Sequence, residues 1–215
     1  LAICALLASL FTLPAAAQEA ATETPASAAD PRQNLENVLY LDLSTGGRVS
    51  ILLRPDIAPA HVERIKTLTR QGFYDGIIFH RVIEGFMAQT GDPTGTGTGN
   101  SALPDLQAEF TTTPHLRGTV SAAREGNNND SANSQFFITF MPRFDLDRKY
   151  SVFGRVFGGM QYVDAIARGE PPVQPDRIVQ ASIAADGKPA PAKAPAAPAV
   201  QPAPAAITGP SASNQ

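Results

Sequence analysis

The chain has 215 residues, and 43% of them are hydrophobic, which is enough for one domain with a real core. The formal net charge is −3, and no cluster of lysine and arginine side chains suggests a nucleic-acid partner. The three histidines are scattered and the one cysteine is Cys4, so neither residue type forms a metal-ligand motif.

The first residues have the pattern of a secretory signal. An apolar stretch runs from Leu1 to Leu13, and the small residues Ala15–Ala17 precede Gln18, as in a hydrophobic region followed by a cleavage site. The positively charged region that normally comes before such a stretch is missing from the given sequence. We therefore expect a signal peptide over residues 1–17. A buried N-terminal helix is the alternative, and the polar, proline-containing residues that follow disfavour it.

Two flanking segments lack the apolar residues that a core needs. Residues 18–33 are rich in alanine, threonine, proline and acids, and are predicted to form a disordered linker. Residues 186–215 are dominated by proline and alanine, which favour extended conformations, so we expect a disordered tail. The folded domain is therefore predicted over residues 34–185. It holds no run of about 20 apolar residues, so we expect no integral membrane segment in the mature chain.

Strand signals prevail at the start of this domain. Val38–Ser44 and Arg48–Arg54 flank the short turn Thr45–Gly47, which predicts a hairpin. Pro59–Gln71 has apolar residues at helical spacing, a proline in its first turn and a glycine after its end, which predicts a helix. Met160–Arg168, closed by Gly169, predicts a second, shorter helix.

The remaining strand signals complete the predicted fold. Strands are expected near residues 78–83, 86–92, 118–123, 135–140, 151–157 and 177–184. Eight strands with turn signals and two isolated helices suggest a closed eight-stranded antiparallel β-barrel capped by two α-helices. Closure would also remove exposed strand edges.

The stretch FHRVIEGFMAQTGD, from Phe79 to Asp92, places one arginine among apolar side chains. Side chains alternate along a strand, so Phe79, Arg81 and Ile83 are expected on one face. Burying an unpaired guanidinium costs several kcal/mol, so Arg81 should face a partner or a cleft. His80 is expected on the opposite face, as a packed structural histidine.

The spaced glycines in GDPTGTGTGNSALPDL, from Gly91 to Leu106, do not predict a nucleotide site. A phosphate loop needs Lys-Ser/Thr after its last glycine, and a dinucleotide loop needs a βαβ setting. Neither is present, so we expect a flexible surface loop between strands.

Three stretches together carry a family resemblance: FHRVIEGFMAQTGD, SANSQFFITF (Ser131–Phe140) and YSVFGRVFGGM (Tyr150–Met160). Their combination closely resembles the cyclophilins, the peptidyl-prolyl cis–trans isomerases, and is most similar to the bacterial forms. The resemblance covers about Val38 to Ala184. It implies an isomerase that accelerates rotation about X-Pro bonds in unfolded or extended proline-containing chains, without covalent chemistry, metal or cofactor. With the signal, it implies a periplasmic protein that assists the folding of exported chains, and we expect a monomer.

The resemblance also assigns the site. Arg81 is the implied catalytic residue, aimed at the prolyl nitrogen of a twisted amide. The implied substrate-binding residues are apolar pocket side chains, two amide side chains and a peptide-binding backbone segment: Phe86, Met87, Gln89, Ala123, Arg124, Gln135, Phe137, Leu146 and Tyr150.

Two rim positions depart from the family pattern. Counting from the SQFF motif puts Asp145, with Phe144 next to it, where well-known cyclosporin-binding members have tryptophan, and Tyr150 where they have histidine. We therefore predict weak cyclosporin affinity. The altered rim also leaves an alternative open, a peptide-binding chaperone module with little turnover.

Two further interpretations concern polar residues outside these motifs. Ser121, Ser131 and Ser134 have no evident His–Asp partners, so we expect no nucleophilic serine. Asp145 and Asp147 are expected to be two solvated acids in a loop.

Overall fold

A computed structural model describes residues 30–192 of the chain. The predicted signal peptide and most of the predicted linker and tail lie outside the described residues. The domain holds eight strands and two α-helices, as the sequence predicts. These are β1 (Val38–Leu43), β2 (Gly47–Leu53), α1 (Pro59–Arg70), β3 (Arg81–Ile83), β4 (Met87–Thr90), β5 (Thr119–Ala122), β6 (Phe136–Thr139), β7 (Val152–Gly158), α2 (Met160–Asp164) and β8 (Ile178–Ile183).

The eight strands form one antiparallel sheet in the order β3-β4-β6-β5-β7-β2-β1-β8. The sheet curls strongly, but the predicted closure of the barrel is not confirmed, because β3 and β8 form no ladder. The two ends are joined instead by an isolated bridge between Ile78 and Arg177. The residues before β3 reach β8 irregularly, through bonds such as Gly76 N–H to Ile178 O at 2.7 Å. The architecture is therefore an open half-barrel.

The main core lies between the concave face of the sheet and helix α1. Val62, Ile65 and Leu68 recur at helical spacing and are buried against the strands. The Glu109 carboxylate accepts hydrogen bonds from the first free backbone N–H groups of α1, those of Ala60 and His61, both at 3.0 Å. Within residues 30–192, no helix is long and apolar enough to cross a membrane.

Helix α2 ends four residues earlier than predicted. The Arg168 guanidinium donates a hydrogen bond to the carbonyl of Asp164 at 2.7 Å and another to the carbonyl of Ile166. These carbonyls therefore find a side-chain donor instead of the next helical turn, which satisfies the end of the helix locally.

The face assignment around β3 is wrong in one respect. Phe79 is fully buried in the main core, whereas Arg81 turns toward the surface, 41% exposed. Regular strand geometry begins only at Arg81, so the alternation is broken between the two residues. His80 is buried, as expected for a packed histidine, and burial lowers the pKa of its ring.

The glycine-rich segment after β4 is anchored by one buried acid. The Asp92 carboxylate accepts hydrogen bonds from the backbone N–H groups of Thr94 and Gly97, at 2.7 and 2.6 Å. Burial raises the pKa of this carboxyl, but its hydrogen bonds outweigh burial and lower the pKa to about 2. The segment is therefore a structured loop, fixed by hydrogen bonds from its backbone to the buried Asp92 carboxylate.

Replacing Asp92 by Asn should destabilise the fold at neutral pH, because the loop N–H groups lose a charged acceptor. A pKa lowered from 3.8 to about 2 is linked to on the order of 2 kcal/mol of stability. This contribution is present above about pH 4 and is lost as the pH falls toward 2. Urea denaturation of both proteins at about pH 7, 4 and 3 should show a difference that shrinks with falling pH.

Asp56→Asn is the control for that experiment. Asp56 is also an ionised acceptor, paired with Arg54 at 2.6 Å, but its side chain is 58% exposed. Exposed pairs contribute little, so this variant should unfold almost like the wild type. Equal destabilisation by the two substitutions would contradict the role given to Asp92.

Candidate active site

One row of residues crosses the sheet and defines the candidate site. In the antiparallel register Arg81 of β3 lies opposite Gln89 of β4, and Gln89 lies opposite Phe137 of β6. Directly opposed side chains on one face are close neighbours. The register alone therefore brings a guanidinium, an amide and an aromatic ring together.

These residues border a small cavity of about 100 Å³. Nine of the ten residues that the family resemblance implied line it: Arg81, Phe86, Met87, Gln89, Ala123, Arg124, Phe137, Leu146 and Tyr150. The tenth, Gln135, lines an adjoining cavity of about 200 Å³ that shares Gln89, Ala123 and Arg124 with the first. The structure thus brings all ten predicted residues together in one cleft.

The floor of the smaller cavity is apolar. Met87, Phe137 and Leu146 form a buried cluster of their own, separate from the main core. The Tyr150 ring meets the Phe137 ring edge to face, with the centroids 5.5 Å apart, and the Arg124 guanidinium lies over the Tyr150 ring at 4.7 Å. The cavity is therefore shaped for a compact apolar ring, with tyrosine filling one wall.

The polar wall is a chain of hydrogen bonds. Arg81 Nη1 donates to Gln89 Oε1 at 3.5 Å, and Gln89 Nε2 donates to Gln135 Oε1 at 2.9 Å. Gln135 Nε2 donates in turn to the carbonyls of Gly97 and Gly99, at 3.1 and 2.9 Å. The carbonyls of the glycine-rich loop therefore fix Gln135, and Gln135 in turn fixes the Gln89 amide that faces Arg81.

The rim differs from both possibilities that the sequence left open. The Asp145 carboxylate pairs with Arg143 at 2.8 Å, and this hydrogen bond lowers the pKa of Asp145. Phe144 is 63% exposed. Neither lines the cavity, and the Arg143 guanidinium instead covers the Phe86 ring at 3.9 Å. A cation therefore stacks at the rim, where the sequence led us to expect Phe144 or Asp145.

The expectation that no serine has His–Asp partners is wrong for Ser121. Its hydroxyl lies 3.0 Å from His115 Nε2, and His115 Nδ1 lies 2.9 Å from the Asp147 carboxylate. Hydrogen bonds from His115 outweigh burial and lower the pKa of Asp147, so Asp147 is not simply solvated. Because Ser121 and His115 are fully buried, no substrate reaches the hydroxyl. The His115 ring lies nearly parallel to Phe137, 6.3 Å away, so the trio supports the cavity floor.

Two residues next to the site were missed from the sequence. Glu170 contacts Arg81 through Nε at 2.7 Å although the two are 89 residues apart in the chain. His115, which lies beneath the Phe137 ring, is likewise distant from it in the sequence. No local spacing signals either contact. Among residues 30–192, no group of three or more histidine, cysteine or acidic side chains could hold a metal ion.

Comparisons with known proteins agree with this geometry. A model of the family described as cyclophilin type peptidyl-prolyl cis-trans isomerase/CLD matches residues 40–183. A probable peptidyl-prolyl cis-trans isomerase of Brucella suis is 49% identical over 179 residues, which cover 76% of this chain and 88% of that protein. The chain therefore belongs to the cyclophilin-type peptidyl-prolyl cis–trans isomerases, and its activity is the isomerisation of peptidyl-prolyl bonds.

Solved structures of this family are also similar. A cyclophilin from Hirschia baltica superposes with a TM-score of 0.65 at 31% identity, covering 73% of this chain and 76% of that one. A cyclophilin-type isomerase of Cryptosporidium parvum, crystallised in the presence of the dipeptide Ala-Pro, gives a TM-score of 0.64 at 26% identity. That match covers 68% of this chain and 98% of the other. The family identification and the mainly β, two-helix fold predicted from the sequence are confirmed.

The rim leads to a prediction about cyclosporin. A large apolar ligand would have to desolvate the Arg143–Asp145 pair, which is costly, and would find no indole there. We expect weak binding by the wild type and tighter binding by Asp145→Trp, measured by titration calorimetry. Nanomolar binding by the wild type would contradict this account. Asp56→Asn, far along the chain from the rim, serves as the control.

Proposed function

We propose that Arg81 is the catalytic group and that it acts on a twisted X-Pro amide. Rotation about this bond has a barrier of about 18–20 kcal/mol, which arises from amide resonance. When the amide twists, the prolyl nitrogen regains a lone pair. A fixed cationic donor next to that nitrogen stabilises the twisted state more than either planar state.

The remaining cleft residues divide the other tasks. The apolar cluster of Met87, Phe137 and Leu146 takes the proline ring. Gln89, whose oxygen faces Arg81, orients the guanidinium. Ala123 and Arg124 hold the peptide backbone across the wider cavity, where Gln135 offers a further polar contact. No step makes or breaks a covalent bond.

One observation carries this proposal. A single strand register sets the donors of a guanidinium beside a cavity of about 100 Å³ with an apolar floor. That size suits one proline ring, and the charge lies at the edge of the cavity, where a prolyl nitrogen would lie. This juxtaposition supports catalysis over mere holding of a peptide.

We propose that the substrates are extended, proline-containing segments of unfolded chains, bound by a monomer. The dipeptide Ala-Pro present with the Cryptosporidium parvum isomerase supports this substrate class. A peptide-holding chaperone with little turnover is the competing function, and the altered rim at Asp145 and Tyr150 is the observation that favours it.

Replacing Arg81 by Ala should separate the two functions. Loss of a preorganised donor costs about 100-fold or more in rate, while the apolar floor still binds the proline ring. NMR exchange spectroscopy on a short Ala-Pro peptide should show acceleration by the wild type and almost none by the variant, with similar peptide affinity. Arg54→Ala, at an exposed arginine outside the cleft, should behave like the wild type.

Two outcomes would count against the catalytic role. Binding without acceleration by the wild type would favour the holding function. Full acceleration by Arg81→Ala would mean that another group lowers the barrier.

We further propose that the protein is exported and serves chains that fold in the bacterial periplasm. The apolar run and small-residue site in residues 1–17 support export. Slow prolyl isomerisation limits folding of many chains, which gives an exported isomerase its task. The full chain, expressed in a bacterium behind an initiator methionine and a few lysines that supply the missing positively charged region, should fractionate with the periplasm and begin near Gln18. A variant without residues 1–17 should stay in the cytoplasm, and equal fractionation of the two would contradict export.

A further inference from the structure

The Arg81 side chain is held mainly from outside the cavity. Among the described residues 30–192 its side chain makes two hydrogen bonds, from Nε to Glu170 at 2.7 Å and from Nη1 to Gln89 at 3.5 Å. The first is short and ends on a carboxylate, whereas the second is at the limit for a hydrogen bond. Glu170 is therefore the firmer of the two contacts.

The backbone beside Glu170 is fixed to the same strand as Arg81. Gly169 and Val82 exchange two hydrogen bonds, from Val82 N–H to Gly169 O at 2.8 Å and from Gly169 N–H to Val82 O at 2.9 Å. Each of these residues adjoins one partner of the ion pair. The carboxylate thus comes from a backbone position already registered against β3.

We infer that Glu170 is a positioning residue for Arg81, holding the guanidinium by its Nε edge so that the Nη groups face the proline cavity. This inference rests on the proposed role of Arg81. Arginine has a long side chain with several rotatable bonds, and an unheld guanidinium would sample many directions. Small misplacements of a reacting group are costly in rate, so an outer tether matters to turnover.

The ion pair is not explained by stability alone. Arg81 is 41% and Glu170 53% exposed, and pairs this open to solvent contribute little to folding. The same loop carries a second pair of similar geometry, Arg168 with Glu84 at 2.7 Å, which does not involve Arg81. This second pair supplies a matched control for effects on the loop itself.

The test compares Glu170→Ala, Glu170→Gln and Glu84→Ala in the full chain with an Ala-Pro peptide. For Glu170→Ala we expect the exchange rate at saturating peptide to fall about three- to tenfold, with little change in peptide affinity. Glu170→Gln keeps an oxygen that can accept from Nε and should restore at least half of the rate. Glu84→Ala, which removes the second pair in the same way, should match the wild type in both quantities.

A spectroscopic readout follows Arg81 without reference to activity. The Nε–H proton NMR signal of Arg81, assigned by its loss in Arg81→Lys, should shift and exchange faster with water in Glu170→Ala. The signal should stay near its wild-type position in Glu84→Ala. A purely structural loop contact would leave this signal unchanged as long as the fold is intact.

The outcomes separate the two proposals. If the wild type is active, Arg81→Ala is inactive and Glu170→Ala keeps the full rate, the positioning role is overturned and the role of Arg81 stands. The positioning role is also overturned if Glu170→Ala weakens only peptide affinity, or if Glu84→Ala loses as much rate as Glu170→Ala. If Arg81→Ala keeps full activity, it is the proposed role of Arg81 that fails.

Discussion

The site depends above all on the register of β4, the four-residue strand between β3 and β6. Its pairing on both sides places Arg81, Gln89 and Phe137 in one row, and the pairing of β6 with β5 extends that row to Ser121. A slip of one residue would turn every side chain of β4 to the other face. It would separate the guanidinium from its amide and leave the aromatic floor without its polar wall.

The same register divides the apolar side chains between two tasks. On β6, Phe136 enters the main core while its neighbour Phe137 joins Met87 and Leu146 under the cavity. Adjacent strand residues point to opposite faces, so one short strand stabilises the fold with one side and builds the site with the other. Met87 and Phe137 of the cavity floor are therefore fixed by the sheet itself, and the buried side chains of Ser121 and His115 lie behind Phe137.

Much of this could be predicted from the sequence, and the failures share a cause. The family resemblance of three motifs was enough to assign Arg81 and Phe137 to one cleft, and local strand and turn signals were enough to predict eight strands. The Glu170 contact across 89 residues and the burial of His115 depend on how distant loops meet. Closure of the barrel failed for the same reason, since it required a ladder between the first and last strands of the sheet order.

The polar wall has a direction that its two ends impose. The carbonyls of Gly97 and Gly99 only accept hydrogen bonds, so Gln135 must present its Nε2 to them and its oxygen to Gln89. Gln89 must then donate to Gln135 and turn its own oxygen to Arg81, which has only donors. The hydrogen-bond partners at the two ends therefore fix the orientation of both amide groups. This series of hydrogen bonds ends on the Arg81 guanidinium. The other Nη donors of Arg81 take no part in the series, and the guanidinium borders the cavity, where a bound prolyl nitrogen would accept a hydrogen bond.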